Sequence, residues 1–429
     1  MKIAVFINNI NIKDVDCSCM RKGNPGIGGT EYCFLLLCEM YKMYYPQDEI
    51  TILATSEGKL PNVDSIEVVG GIQNVVEVCK SIHADILVIS AVDEGNPLPD
   101  VLLNEIERNL QKTVIWGHNF YLSDFATKLA KNKYIRANVF VGKQQYDRYL
   151  DHSLIYKSTY IFNMYPKSLT FPRQYNDSKT VTYIGSLVYH KGFHLLAKSW
   201  KEIIKAVPGA QLYVIGTGKL YSRESKLGPY GIAAEDYERL FIKGLTDERG
   251  KLLDSVHFLG ILGAEKNDII AQTSVGVVNP SGRTETFGLS ALDFESHGVP
   301  VVTIGNGGFL DTVVDEYTGL LYSNVKDLPK KIIYLLENAK VNQKYGENGK
   351  LFYGKFLPER LIGQWHDLFE TVINDSKLEV QIPNDFYKGQ LKRLRLANYK
   401  LKSALKIQWL PSVITIETIA KKIIRKVKK

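Results

Sequence analysis

Five cysteines in 429 residues, no low-complexity tract and no apolar run of membrane-spanning length mark what this sequence has little of. Crossing a bilayer takes roughly 18 or more consecutive apolar residues, so no transmembrane helix is expected. The segment Met1-Lys-Ile-Ala-Val-Phe-Ile7 is too short and too soon polar for a secretory leader, and reads instead as a buried first strand. Cys17, Cys19, Cys33, Cys38 and Cys79 are odd in number and lie in the first fifth of the chain. With no export signal, reduced thiols in a cytoplasm are the expectation. Cys17-Ser-Cys19 lacks a second pair at zinc-ligand spacing, so no metal site is expected there. No D-x-D motif stands out as a holder of a metal-bound diphosphate.

What is present is the composition of a globular protein, 45% hydrophobic and 23% charged. The length exceeds one ordinary hydrophobic core and predicts two domains. The net charge of +8 is unevenly placed. Residues 376–429 carry 14 Lys/Arg against 3 Asp/Glu, while the rest carries 40 against 43. The body is near neutral, and the basic character belongs to the tail.

Short apolar runs alternate with longer amphipathic stretches. Strands are expected at 2–8, 49–54, 65–69, 85–90, 113–117, 138–142 and 159–163, with helices between, such as 30–44 and 71–82. Bare runs such as Ile86-Leu-Val-Ile89 suit parallel strands covered on both faces. The polar stretch 166–180, with Pro166 and Pro172, reads as a linker. The alternation then restarts, with strands at 182–186, 211–216, 256–260, 275–280 and 300–304, and helices at 193–207, 264–273, 287–297, 326–338 and 358–374. Repeated βαβ units predict an α/β fold with two Rossmann-like, doubly wound domains. The expected division is 1–165, linker 166–180, second domain 181–357, a helix at 358–375 crossing back to the first domain, and a tail at 376–429.

The most informative segment runs from Asn279-Pro-Ser-Gly-Arg-Thr-Glu285 through Thr286-Phe-Gly-Leu289 to Asp293 and Gly298-Val-Pro-Val-Val302. A strand gives way to a loop and then to a helix start. There the backbone N–H groups lack intrahelical partners and, with the helix dipole, favour a diphosphate. Glu285 stands just before those amides, placed to accept hydrogen bonds from sugar hydroxyls. Asp293 follows two helical turns on, within reach of ribose hydroxyls, although a solvated helix residue would look the same. A second segment is Tyr183-Ile-Gly-Ser-Leu-Val-Tyr-His-Lys-Gly192. Lys191 near a helix start is unusual, because helix N-termini disfavour cations, and its ammonium suits leaving-group charge. A third is Gly23-Asn-Pro-Gly-Ile-Gly-Gly-Thr-Glu31, whose glycines permit close backbone approach to a ligand. A fourth is Trp116-Gly-His118-Asn119, at the end of an apolar strand, where ligands of parallel sheets bind.

Together these segments resemble the retaining glycosyltransferases of GT-B fold, particularly glycosyltransferase family 4 (glycosyltransferase group 1), over roughly residues 1–375. Glu285 through Asp293 resembles the family's E-x7-E signature, with Asp in place of the second Glu. The resemblance implies that Glu285 holds the donor sugar, that Thr286, Phe287, Gly288 and Leu289 bind sugar and phosphate, and that Asp293 holds the ribose. The Lys191 segment is similar to G-R-L-x-x-x-K-G, which implies that Gly185, Ser186 and Lys191 lie at the diphosphate. Ser186 stands where Arg is usual, and Arg283 is a candidate for the missing cation. Gly28 and Gly29 look like the G-G-x-E loop against phosphate or acceptor. Gly216, in Gly216-Thr-Gly218, and the segment Gly307-Gly308-Phe-Leu-Asp311 would shape loops over the nucleotide. His118 would lie near the donor sugar. The implied catalytic residues are therefore His118, Lys191 and Glu285, in a cleft between the domains. No metal and no cofactor is expected beyond the co-substrate, a nucleotide sugar with UDP favoured.

Past residue 383 the sequence leaves that pattern. Ile416, Ile419, Ala420, Ile423 and Val427 share one helical face, with Lys421, Lys422, Arg425, Lys426, Lys428 and Lys429 mostly on the other. Leu391, Leu394, Leu401, Leu405 and Trp409 form a looser stripe upstream. A basic amphipathic helix suits an anionic membrane surface; a solvated tail packing on the body is the plainer alternative. Nucleic acid is not expected as a partner. The sequence thus predicts a metal-independent glycosyltransferase acting on a glycan or lipid-linked glycan, cytoplasmic and peripheral on the inner membrane face. Two other classes stay open: a catalytically silent binding subunit of a polysaccharide assembly, and a GT-B epimerase or phosphorylase.

Overall fold

The computed structural model describes residues 1–93, 95–167, 173, 178–218, 226–383, 391–407 and 409–427, with the side chains of 421, 422 and 425–427 excepted. Strands β1 (Lys2–Ile7), β2 (Glu49–Ala54), β3 (Ser65–Val68), β4 (Ile86–Ser90), a short ribbon of β5 (Val92–Asp93) and β6 (Asn96–Pro97), then β7 (Thr113–Gly117), β8 (Ile135–Phe140) and β9 (Ser158–Tyr160) precede residue 165. Seven of them form one parallel sheet in the order β3-β2-β1-β4-β7-β8-β9. After it come β10 (Thr180–Ile184), β11 (Gln211–Ile215), β12 (Val256–Gly260), β13 (Val275–Val277), β14 (Val301–Ile304) and β15 (Gly319–Tyr322). They make a second parallel sheet, ordered β12-β11-β10-β13-β14-β15. In each sheet the chain winds outward, returns beside its first strand and then winds the other way.

Contacts group Met1–Cys19, Cys33–Met164 and Pro358–Lys429 into one unit, and Met20–Tyr32 and Tyr165–Leu357 into another. The glycine-rich loop therefore groups with the second sheet rather than with the rest of 1–165, and all that follows Leu357 groups with the first sheet. Of the linker expected at 166–180, residues 168–172 and 174–177 lie outside the described residues. Arg173 is fastened to the second unit, donating to Gly298 O (3.0 Å) and Asn342 Oδ1 (2.7 Å).

Burial explains the elements. β4 and β7 are apolar because helices cover both faces of their sheet, and Ile86–Ile89 and Val114–Trp116 are all buried. Helix Phe193–Ala206 buries Phe193, Leu196, Ala197, Trp200 and Ile203, one stripe at helical spacing. Helix Pro358–Ile373 starts on a proline, suited to a first turn whose N–H has no partner. It buries Leu361, Ile362, Trp365, Leu368 and Phe369 on the first unit, with Trp365 edge-on to Trp116 at 4.5 Å between ring centroids.

Three expectations are corrected. The strand read at 138–142 is β8, three residues earlier, because Arg136 and Asn138 interrupt its apolar run. Asn138 is nonetheless buried, its amide between Tyr121 and Ser158. The strand β15 is only four residues long and went unread. So did helix Ala339–Tyr353, whose glycines lower its helical signal. Those glycines have a use: a Cβ on Gly346 would sit 1.9 Å from Gly298 O, so only glycine lets this helix approach so closely.

Trp365→Ala should empty the space between the last long helix and the first sheet. It should cost about 3–5 kcal/mol, read from the shift in the urea midpoint.

Candidate functional site

The second sheet reverses its winding between β10 and β13, and the loops leaving those two strands start side by side at their carboxyl ends. Such switch points are where open α/β sheets take ligands. The loop after β10 runs from Gly185 to Gly192, braced by the Tyr183 phenol, which reaches Ser186 O (3.4 Å) and Lys191 O (3.2 Å). It closes in a 3-10 turn, Tyr189–Lys191, and ends on Gly192, which is left-handed at φ 70°. A Cβ on Gly192 would fall 2.5 Å from Ser281 N, so the two loops meet backbone to backbone. Ser281 Oγ adds a bridge, 2.6 Å from His190 O.

Across this junction Lys191 Nζ meets Glu285 Oε2 at 2.9 Å, with both side chains mostly shielded from water. Asn279 Nδ2 donates to the same carboxylate oxygen at 3.1 Å and to Arg283 O at 3.1 Å. The loop carrying Glu285 is strained: Asn279 (φ 29°) and Thr284 (φ 58°) are both non-glycine residues with positive φ. Such strain persists where the surroundings over-determine the backbone, and it concentrates at functional sites. Here the surroundings are Gly307 and Gly308. Gly308 N donates to Glu285 O at 3.1 Å, and a Cβ on Gly308 would lie 2.1 Å from Phe287 N. Gly288, left-handed at φ 94°, packs on Phe309 and Thr312 and opens helix Leu289–Ser296. At the neighbouring strand ends Gly185 and Gly216 also touch, since a Cβ on Gly216 would lie 2.0 Å from Gly185 O.

The structure therefore brings Gly185, Ser186, Lys191, Gly216, Glu285, Thr286, Phe287, Gly288 and Leu289 to one end of the second sheet. Gly29 joins them, its α-carbon facing the Leu289 side chain. Gly28 lies beneath its own neighbour Glu31, whose carboxyl burial raises its pKa. Ser186 is buried and carries no charge. Arg283 lays its guanidinium over the Tyr189 ring, 5.3 Å from the centroid, lining a small pocket with His194, Pro280, Ser281 and Ile304.

Asp293 is held rather than exposed. Its Oδ1 takes Lys266 Nζ at 2.6 Å and the Tyr165 hydroxyl at 2.6 Å, all within the second unit. Neither Lys266 nor Tyr165 was marked by the sequence, because each lies far from Asp293 along the chain and in no motif. Glu295, on the same helix, packs toward Gly349 in the interior, and burial pushes its carboxyl well up.

His118 belongs to the first unit, at the end of β7. Its Nε2 lies 3.1 Å from Asn163 Oδ1. Phe34 and Trp116 crowd it, with centroids 5.8 and 4.8 Å away. Desolvation pulls its pKa down to about 4, so the ring is neutral at physiological pH. Asn163 was not marked by the sequence.

Among the described residues no group of three or more His, Cys, Asp or Glu is placed to hold a metal ion. Asp14-Val-Asp16 is a D-x-D by spelling. Its Asp16 is exposed and engaged by Ser18 and Lys59.

Residues 168–352 match the family described as glycosyl transferases group 1. The fold is GT-B, and the group 1 match covers the second sheet. Among curated relatives, an uncharacterized glycosyltransferase of Methanocaldococcus jannaschii is 28% identical over 228 residues, 52% of this chain and 56% of that one. The capsular polysaccharide biosynthesis glycosyltransferase CapM of Staphylococcus aureus is 24% identical over 205 residues, 47% of this chain and 48% of its own. The chain thus spans about half the length of these relatives. Of solved structures, the sucrose-phosphate synthase of Thermosynechococcus elongatus superposes with a TM-score of 0.62 at 17% identity, over 87% of this chain and 99% of that one. Anabaena HepE, in complex with UDP and glucose, gives 0.61 at 16% identity, over 86% and 100%. At such identities the likeness is one of fold.

Two outcomes follow for this site. His118 has a folded pKa below its unfolded value near 6.5, so the unfolded state binds more protons between the two. The stability that the neutral ring contributes is present above about pH 6.5 and is lost as pH falls toward 4. The loss should be on the order of 2–4 kcal/mol, seen as a steeper acid limb in denaturant melts than in His118→Gln. Asp293→Ala would strand the buried Lys266 ammonium and should cost about 3–5 kcal/mol in the same melts. A loss below 1 kcal/mol would mean that the pair is not a structural tie.

Proposed function

We propose that the protein is a retaining glycosyltransferase of the family 4 type. It moves a sugar from a nucleotide-sugar donor, UDP-sugar by preference, to a glycan or lipid-linked glycan in cell-surface polysaccharide synthesis. The observation that carries this reading is the Lys191–Glu285 pair, set at the switch point of a group 1 domain. In the absence of donor the two charges neutralise each other. A bound donor would part them: its diphosphate takes the Lys191 ammonium, and a sugar hydroxyl donates to the Glu285 carboxylate that Lys191 releases. Asn279, which donates to the same carboxylate oxygen, then keeps the carboxylate oriented. The donor must outbid an existing ion pair, which favours ligands carrying both groups over either alone.

For the reaction, the acceptor oxygen bonds to the anomeric carbon on the face from which the diphosphate departs. The C1–O bond to phosphate breaks, and the acceptor proton passes to the departing phosphate oxygen. Lys191 and the amides near Phe287–Leu289 stabilise the charge that collects on the leaving group. Glu285 holds the sugar. The step needs no metal. Asp293 would hold the ribose only by releasing Tyr165 or Lys266, or by sharing its other oxygen. The Anabaena and S. aureus proteins named for UDP, glucose and capsular polysaccharide favour this donor and acceptor class. The site of action proposed is the inner face of the cell membrane, reached through the basic tail.

Ser186, uncharged and buried where such enzymes have Arg, favours one other reading, a silent nucleotide-binding subunit. Ligand-induced thermal stabilisation across a panel of nucleotides and nucleotide sugars, followed by product analysis, separates the two. A ligand at one hundred times its Kd adds about 2.7 kcal/mol. That gain should appear with one nucleotide family and vanish in the Lys191→Ala, Glu285→Ala double variant. Transfer with the anomeric configuration kept, by NMR, supports the enzyme. Binding without transfer supports the silent subunit, and no binding at all refutes both.

A further inference from the structure

The last two helices, Lys392–Leu405 and Val413–Val427, pack on the first unit with an inverted logic. Their packed side is rich in cations and hydrogen bonds. Lys392 is buried, its Nζ 2.7 Å from Asp147 Oδ2. Arg395, also buried, donates to Glu417 Oε1 (2.6 Å) and to Arg148 O (2.9 Å). Lys402 Nζ donates to Asp151 O at 2.7 Å. Asp151 Oδ2 accepts from Asn398 Nδ2 (2.7 Å) and from Val413 N (2.6 Å), tying both helices to one carboxylate. Ser123 and Thr415 hydroxyls meet at 2.7 Å. Among the described residues, Leu396, Tyr399 and Ile414 join the first unit's apolar core, and Val413 is buried too.

The apolar stripes are left outward. Leu391, Leu394, Leu401 and Leu405 fall within one quadrant of the first helix and are exposed, and Ile416, Ile419 and Ile423 do the same on the second. Trp409, in the turn between them, is 81% exposed. Bare aliphatic stripes on two successive helices, with a tryptophan in the turn between them, are exposed apolar area that water disfavours. What covers it must also accept a strongly basic segment, 14 Lys/Arg against 3 Asp/Glu over 376–429, with Arg393, Lys400 and Lys406 exposed beside the stripes. A second copy of the chain would bring like charge to like charge. Nucleic acid would meet the cations and leave the leucines and isoleucines wet. An anionic lipid surface answers both, taking the stripes into its headgroup–acyl boundary and the cations among its headgroups.

We infer that this helix pair is a preformed seat on an anionic bilayer, held rigidly on the first unit by the Lys392, Arg395 and Lys402 contacts, with both apolar stripes and Trp409 entering the lipid. The inference rests on the membrane reading above and sharpens it: the contact is an apolar surface spread over two helices, not the basic end of the chain alone.

The test uses the full-length protein and sonicated vesicles of phosphatidylcholine, with or without phosphatidylglycerol. Of the four tryptophans, Trp116, Trp200 and Trp365 are buried, so quenching by brominated lipid reports on Trp409. Expected are co-sedimentation at least tenfold stronger with phosphatidylglycerol, quenching that disappears in Trp409→Phe, and a tenfold or greater loss of partitioning in two variants. These are Leu401→Ser/Leu405→Ser and Ile416→Ser/Ile419→Ser/Ile423→Ser; their positions are exposed, so nucleotide-induced stabilisation should be unchanged. If anionic vesicles sediment the protein but Trp409 stays unquenched and both variants bind normally, the charged end alone makes the contact and the seat is refuted, while membrane attachment stands. If no vesicle sediments it, both ideas fall, and the nucleotide result is untouched. Association into dimers by light scattering, lost in the isoleucine variant and indifferent to vesicles, would assign the stripes to a second copy and overturn the inference.

Discussion

In a parallel sheet every strand delivers its carboxyl end to the same edge, and the chain must leave that edge through a loop. Where the winding reverses, two such loops depart in opposite directions and no crossover fills the gap between them. In the second unit those loops carry Lys191 and Glu285, and the ion pair between them spans the gap. Much of the local structure serves to hold that pair. The Tyr183 phenol props the lysine loop, Ser281 ties it to the glutamate loop, and Gly192 lets their backbones touch. Two positive-φ residues, Asn279 and Thr284, bend the glutamate loop into place against Gly307 and Gly308.

An ion pair is a poor source of stability when partly exposed, so this degree of bracing is excessive for a purely structural tie. It makes sense if both charges are to be handed to a ligand without rearranging their backbones. The Lys266–Asp293 pair behaves differently. It is more deeply enclosed, capped by the Tyr165 hydroxyl, and fixes the helix that follows the glutamate loop. The two acids of the E-x7-D segment are thus held differently: Glu285 is paired at a partly shielded junction of two loops, and Asp293 in a more enclosed position capped by Tyr165.

The strands were legible because parallel sheets demand unbroken apolar runs, as Ile86-Leu-Val-Ile89 shows. β8 was misplaced because Asn138 satisfies its amide inside the core, and a polar residue with buried partners looks from sequence like a strand's end. Helix Ala339–Tyr353 was hidden by glycines that intrinsic propensity counts against a helix, and that close packing against Gly298 requires. At the site, residues clustered in short segments could be read, since Glu285, Phe287–Leu289 and Lys191 sit in two stretches of ten residues or fewer. Tyr165, Asn163 and Lys266 could not. Each acts on a partner tens of residues away, and only the folded chain shows that tyrosine 165 caps an aspartate 128 positions later.

The tail shows a limit of another kind. A helical wheel finds which residues share a face, but it is silent about which face turns inward. For the last two helices the usual guess, apolar side in, is reversed, and the reason is the surface on which they land. Asp147 and Asp151 stand side by side with Arg148 on the first unit, and a helix docking there must bring cations or leave buried carboxylates uncompensated. Lys392, Arg395 and Lys402 meet that demand. Once those positions are spent on the body, the leucines and isoleucines beside them have no side left but the outer one. The net charge of the segment therefore mixes two populations: cations consumed in docking, and cations displayed around the apolar stripes. Only the second can attract a partner, and it is the first that decides which way the stripes face.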